Sequence, residues 1–257
     1  LNCSWAGVTG QLTIASDELE RLPPDRLDIL KRVMPAHGQL ARPVDLFDRD
    51  LPRAWVIPSA GVLDRQTVVG LFNFEATPVE VVEPLPRFGL DADQDYVAFE
   101  YWTNRPLGIV RGELRYALAS MGTAASLSEE KSSGKVERSA AVIALVALSD
   151  RPEFVSSSRH VSQGRVDVEA LSWDEGTGTL RGTSRLVAGD LYELRFLTRG
   201  TSRRWRLESF ELDPPSEPTA TAGLGSSDDW IARSTILSPT SRSLSWKARF
   251  VPVLEGK

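Results

Sequence analysis

The chain has 257 residues, 41% hydrophobic and 25% charged, enough to bury a real core as one large all-β domain or two smaller ones. Its net charge of −5 and pI near 5.3 argue against a nucleic-acid polyanion as partner, since phosphate binding needs a basic surface. The longest apolar run, Ala140 to Leu148, is strand-sized and short of a membrane span, and the single cysteine, Cys3, excludes an internal disulfide or a multi-cysteine zinc site.

The chain starts at Leu1 and lacks the basic-then-apolar pattern of a signal peptide, so it is expected to be cut from something longer. Asn2-Cys3-Ser4 matches a glycosylation acceptor formally, a match read here as chance. Gln11 to Ala15 reads as a short strand with Leu12, Ile14 and Ala15 apolar. After "SDELERLPP" turns the chain, Pro24 and "DRLDILKRVM" start a helix, because proline is tolerated in the first turn and Asp25 and Asp28 sit where the dipole favours anions. Leu27, Leu30 and Met34, with Ile29 and Val33 beside them, give that helix a wide apolar stripe. One strand and one amphipathic helix do not bury their own faces. This segment is therefore expected to pack incompletely on the β region C-terminal to it, or to associate.

"GQLARPVDLFDRDLPRAWVIP", residues 38 to 58, is a proline-stiffened junction. Phe47 and Trp55 are expected to be buried there, with Asp45 bonded to Arg42, Arg53 or backbone amides. From Arg53 the runs "RAWVIP", "QTVVGLFNF", "VEVVEPL", "DYVAFEYW", "ELRYALA" and "AAVIALVAL" read as closely spaced strands. "TVVGLFNF" is apolar on both alternating faces and belongs in the middle of a sheet. Residues 126–139 read as a solvated hairpin loop or insertion. A second β block holds "GTLRGTSRLV", "LYELRFL", "RRWRLESFEL" and "SLSWKARFVPV". In the last, Leu244, Trp246, Ala248 and Phe250 share one face. The apolar phase slips between Leu207 and Phe210, which predicts a bulge near Ser209. Residues 214–229 read as a mobile loop.

Chemistry-bearing motifs are sparse. A Ser-His-Asp arrangement would have to use His37 or His160, and no G-x-S-x-G elbow surrounds a serine. His37 reads as a helix-terminal cap, and His160 in "SSSRHVSQG" as a structural hydrogen-bonding group. "DADQDY", residues 91 to 96, has aspartates at calcium-loop spacing but Tyr96 where the loop needs glycine, so it reads as a hairpin turn. "GTGTLRG" from Gly176 is a turn, not a dinucleotide fingerprint. Seven tryptophans raise a sugar-stacking hypothesis, with Trp102, Trp173 and Trp230 at strand ends or in loops. No metal ligands, cofactor or catalytic residue are assigned.

Taken together, "PPDRLDILKRVMPAHGQLARPVDLFDRDLPRAWVIP" and the later "VVGLFNFEATPVEV" resemble the end of the barrel and the start of the β-domain in α-galactosidase-like (melibiase-type) glycoside hydrolases. The matching pieces are Ser16-Asp17, the L-P-x-x-R stretch from Leu22 to Arg26, Arg42-Pro43 with Asp45-Leu46-Phe47, and Val68 to Asn73. The resemblance implies a mainly β fold of two β-sandwich-like units preceded by a short βα remnant of a TIM barrel. It divides the chain into 1–40 (last barrel strand and helix), 41–150 (first sandwich) and 151–257 (second sandwich-like unit). It implies a non-catalytic C-terminal fragment, inactive alone, that buttresses the catalytic barrel of its parent. The family's two catalytic aspartates lie on barrel strands absent here, and Asp17 would border the intact site. A stand-alone carbohydrate-binding module is the alternative, and it requires exposed coplanar aromatics.

Overall fold

The computed structural model describes residues 1–11, 13–16, 18–121, 138–213, 220–225, 228 and 230–253. It is mainly β, built as two sandwich-like units, with two α-helices near the N-terminus: α1 (Asn2–Thr9) and α2 (Pro24–Lys31). Among the described residues no helix is long and apolar enough to cross a membrane. The first unit contains β1 (Arg42–Pro43), β2 (Ala54–Ile57), β3 (Gln66–Phe72), β4 (Val79–Pro84), β5 (Tyr96–Glu100), β6 (Arg105–Val110), β7 (Glu113–Leu118) and β8 (Ala140–Ala147). The second contains β9 (Glu153–Ser157), β10 (Val168–Asp174), β11 (Thr179–Leu186), β12 (Tyr192–Leu197), β13 (Trp205–Asp213), β14 (Thr221–Leu224), β15 (Ile231–Leu237) and β16 (Arg242–Pro252).

A six-stranded sheet, ordered β1-β2-β3-β8-β5-β6, is the spine of the first unit. Its two faces are both covered, which is why "TVVGLFNF" and "AAVIALVAL" are apolar without alternation. On one face Val69, Leu71, Ala98, Ile143 and Leu145 pack under the β4–β7 ribbon and the Leu85–Phe88 turn. On the other, Val68, Phe72 and Val142 meet Val8 of α1, Val33 and Val161. Gly70 permits that approach: a β-carbon there would stand 2.9 Å from Val8 Cγ1 and 2.8 Å from the Phe72 ring. Farther along the same face, Val97, Phe99 and Val146 join Val155, Leu197 and Ile231 of the second unit.

The second unit stacks β10-β11-β16-β13 on β14-β15-β12-β9. Its core holds Trp246, Phe196, Phe210, Phe250 and Tyr192, with the alternation of β16 placing Leu244, Trp246, Ala248 and Phe250 inward. The register of β13 against β16 slips between Leu207 and Ser209, at the bulge that the phase shift predicts.

Several expectations change. No strand forms over Gln11, Thr13, Ile14 and Ala15, and Ile14 is 74% exposed; Leu12 lies outside the described residues. A lone strand with no neighbour for its backbone groups has nothing to hold it extended. The residues before it, which carry no clear pattern in the sequence, form α1. Helix α2 stops at Lys31 rather than Met34. Within the expected loop 214–229, Thr221–Leu224 pairs with β15 as an edge strand, while residues 214–219, 226, 227 and 229 lie outside the described residues. Most of the expected insertion, residues 126–137, is also outside them.

Candidate functional site

The segment 158–168 is where the parts of the molecule meet. It carries no β pattern, yet His160, Val161, Ser162, Gln163 and Asp167 are all buried. Many of their polar groups are bonded internally, although Gln163 Oε1 and Asp167 Oδ1 find no partner among the described residues. The Ser162 backbone N donates to His160 Nδ1 at 3.1 Å, with Ser162 Oγ 2.8 Å away, which places the imidazole proton on Nε2. Burial pushes the pKa of His160 down to about 4. His37, 6.4 Å away ring to ring, accepts from Gln39 N and donates through Nε2 to Val8 O at 2.9 Å. It thus caps α1 rather than α2. Neither histidine is accessible as a general base. Gln163 donates to Val142 O at 3.1 Å, and Gln66 Nε2 donates to Val155 O and Gln163 O at 2.6 and 2.8 Å. Asp167, its pKa raised by burial, accepts from Tyr192 Oη at 2.6 Å.

Helix α2 is clamped at its C-terminal end. Arg32 donates to both carboxylate oxygens of Asp190 at 2.7 and 2.9 Å and to Asp28 at 3.0 Å, a bidentate pair that fixes direction as well as distance. Arg159 donates to Lys31 O at 2.8 Å, and Val161 N to Arg32 O at 2.8 Å. The apolar stripe of the same helix is covered only in part: Val33 is buried against the six-stranded sheet, while Leu27, Ile29, Leu30 and Met34 are half-buried. No residue of α2 is buried. Leu27, Leu30 and Met34 line an open, mainly apolar cleft of about 420 Å³ with Leu19 and Val187. Asp17 lies outside the described residues.

In the junction, Asp45 is fully buried and accepts from the backbone N of Arg53 at 2.9 Å and of Ala54 at 3.1 Å, beside the Arg49 guanidinium at 2.9 Å. Backbone amides are among the expected partners; Arg49 was not. Phe47 is 98% exposed, against expectation, because capture of the Asp45 carboxylate by the start of β2 throws residues 46–51 outward as a turn. Trp55 is half-buried, edge-on to Trp5 with ring centroids 6.1 Å apart.

The three tryptophans singled out for sugar stacking lie apart, each half-buried. Trp102 donates to Ser4 Oγ at 3.0 Å and carries the Arg138 guanidinium 5.7 Å over its ring. Trp230 carries Arg199 at 4.3 Å. Trp173 has no such cover among the described residues and lines a cleft of about 300 Å³ between the two units. The turn at residues 91–95 closes on itself, Asp93 N donating to Asp91 Oδ1 at 2.8 Å. Among the described residues no group of three His, Cys, Asp or Glu is arranged for a metal ion.

No family profile matches the chain, and no curated protein matches it in sequence. Among solved structures, α-galactosidase I from Mortierella vinacea aligns at a TM-score of 0.38 and 8% identity over 56% of this chain and 34% of its own. A β-porphyranase of glycoside hydrolase family 86 from Bacteroides plebeius aligns at 0.15 and 11% over 77% and 36%. The chain thus spans about a third of each, and likenesses this slight define neither fold nor activity.

Proposed function

We infer that this chain is the non-catalytic C-terminal β-region of an α-galactosidase-like glycoside hydrolase and that it buttresses a catalytic barrel. The observation that carries the reading is the state of α2. Its C-terminal end is locked to Asp190 while its apolar stripe faces an open cleft. A rigidly held helix with half-buried apolar residues along an open cleft offers that part of its surface to another body. Ile14, Leu19, Leu40, Phe47 and Leu51, all within the same N-terminal stretch, are exposed. The motif string from Leu22 to Asn73 suggests the kind of body: the rest of a barrel, whose outer helices would cover α2. In that arrangement the oxocarbenium chemistry belongs to carboxylates of the barrel, and this chain supplies rigidity.

The test compares the product of the whole open reading frame with this chain alone, using an aryl α-galactoside. The longer product is expected to hydrolyse it and this chain is not. Leu27→Gln with Leu30→Gln is expected to make the longer product lose activity at lower temperature without changing its initial rate. Turnover by this chain alone, or a reading frame that contains no barrel, overturns the reading.

A further inference from the structure

We propose that the cleft beside Trp173 is a binding site for a neutral saccharide of one or two units. The proposal is independent of the barrel and rests on a different face of the molecule.

The cleft forms where the loop before β3 meets the edges of the second unit, and its volume of about 300 Å³ lies at the small end of ligand pockets. Its apolar wall is Trp173. The indole is held from three sides: Nε1 donates to Glu175 Oε2 at 2.7 Å, Trp205 packs edge-on at 5.8 Å, and Phe250 lies at 6.4 Å. A half-exposed indole fixed in this way offers a rigid apolar face at small entropic cost, which suits the C–H face of a pyranose ring.

The cleft is also lined by a polar set arranged in advance. Arg65, Arg151 and Ser149 converge on Glu153 Oε1 at 2.7, 3.0 and 2.9 Å. Glu153 is buried, but the two guanidiniums are more than a third exposed, so each keeps donors open to solvent. Asp64 adds an exposed acceptor. At the back stands Gln66, buried, whose Nε2 donates to Val155 O and Gln163 O and so holds that wall rigid.

The charge of the lining selects the ligand class. Arg65 and Arg151 are matched by Asp64 and Glu153, so the charged lining residues sum to zero. An anionic sugar would add a negative charge beside Asp64 and Glu153, and a cation would meet Arg65 and Arg151. A neutral polyhydroxylated ring, with one apolar face and hydroxyls that both donate and accept, fits the wall and the polar set together.

The experiment titrates the protein with neutral disaccharides (maltose, cellobiose, lactose and melibiose) and with a uronic-acid disaccharide, read by saturation-transfer NMR and calorimetry. At least one neutral sugar is expected to bind in the millimolar range. Trp173→Ala is expected to abolish that binding, Asp64→Ala to weaken it about tenfold, and Trp102→Phe to leave it unchanged. If Trp173→Ala fails to fold, Val62→Trp at the cleft rim serves instead, closing the entrance without touching the core. Absence of neutral-sugar binding, preference for the uronic acid, or binding that survives Asp64→Ala and Val62→Trp overturns the proposal.

Discussion

At Gly182 a β-carbon would stand 2.2 Å from Trp246 Cζ2, in the middle of the second core. The indole there is wedged among Phe196 and Phe210, with Nε1 donating to Ser184 Oγ at 3.0 Å, so it has nowhere to retreat. Gly182→Ala is therefore expected to destabilise the protein by about 1–3 kcal/mol, seen as a lower urea midpoint with an unchanged slope. His160 makes a second prediction. Its folded pKa, about 4, lies below the ordinary histidine value of 6.5. The unfolded chain therefore takes up a proton that the folded chain refuses. The stabilising contribution is complete above pH 6.5 and is lost as the pH falls toward 4, by about 3 kcal/mol. His37, shifted the same way by burial, adds to the loss. His160→Asn keeps an acceptor for Ser162 N but does not titrate, so a stability-versus-pH curve should fall less steeply in this window for the variant. Equal slopes for the two proteins would remove His160 as the cause.

The two helices, neighbours in sequence, have different standing as elements. Helix α1 covers the six-stranded sheet: Val8 is fully buried, and Gly7 approaches so closely that a β-carbon would lie 2.7 Å from Val161 Cγ2. Removing residues 1–9 uncovers Val68, Phe72 and Val142 and deprives His37 of its acceptor. Each apolar side chain returned to water costs ~1.5–3 kcal/mol. The shortened chain is expected to lose on the order of 5 kcal/mol and to melt well below the full one by calorimetry. In helix α2, Leu27 and Leu30 are half-buried, so Leu27→Gln and Leu30→Gln in the isolated chain should each cost about 1 kcal/mol, less than the loss of a fully buried leucine. A large loss from either would mean that the stripe is already covered.

The two sandwiches share an apolar seam formed by Val97, Phe99, Val146 and Leu148 against Val155, Leu197 and Ile231. Arg195 crosses it. Its buried guanidinium lies 5.1 Å over the Phe99 ring, pairs with Glu193 at 2.8 Å and donates to Ser156 Oγ and Ser157 O at 3.0 Å each. A cation desolvated by both units is stable only while both are folded. The full chain should unfold in a single transition, with calorimetric and van't Hoff enthalpies equal. Arg195→Ala removes the buried guanidinium and its bonds to Ser156 Oγ and Ser157 O, while Glu193 keeps Asn104, and is expected to cost about 1–3 kcal/mol. The same substitution should separate the transition into two. Two transitions already present in the unsubstituted protein would show that the seam does not couple the units.

What the sequence alone determined was the set of strands whose pattern is local. "SLSWKARFVPV" alternates, so its buried face is legible. "TVVGLFNF" is apolar throughout, so its central place is too, and the slip between Leu207 and Phe210 locates its own bulge. Asp45 was legible as a buried carboxylate in need of donors, though the depth at which Phe47 would sit was not. Strands β1, β6, β9, β10, β14 and β15 were missed, because a short strand is held by partners distant in the chain and needs little pattern of its own. Helix α1 was missed for the same reason: eight residues of ordinary propensity are helical here because a sheet covers them. The polar hub and the Trp173 cleft depended wholly on tertiary structure. Arg32 meets Asp190 across 158 positions, and Gln66 meets Gln163 across 97. Hydrogen bonds between groups so far apart leave no periodic trace, and only the folded chain brings their atoms within reach.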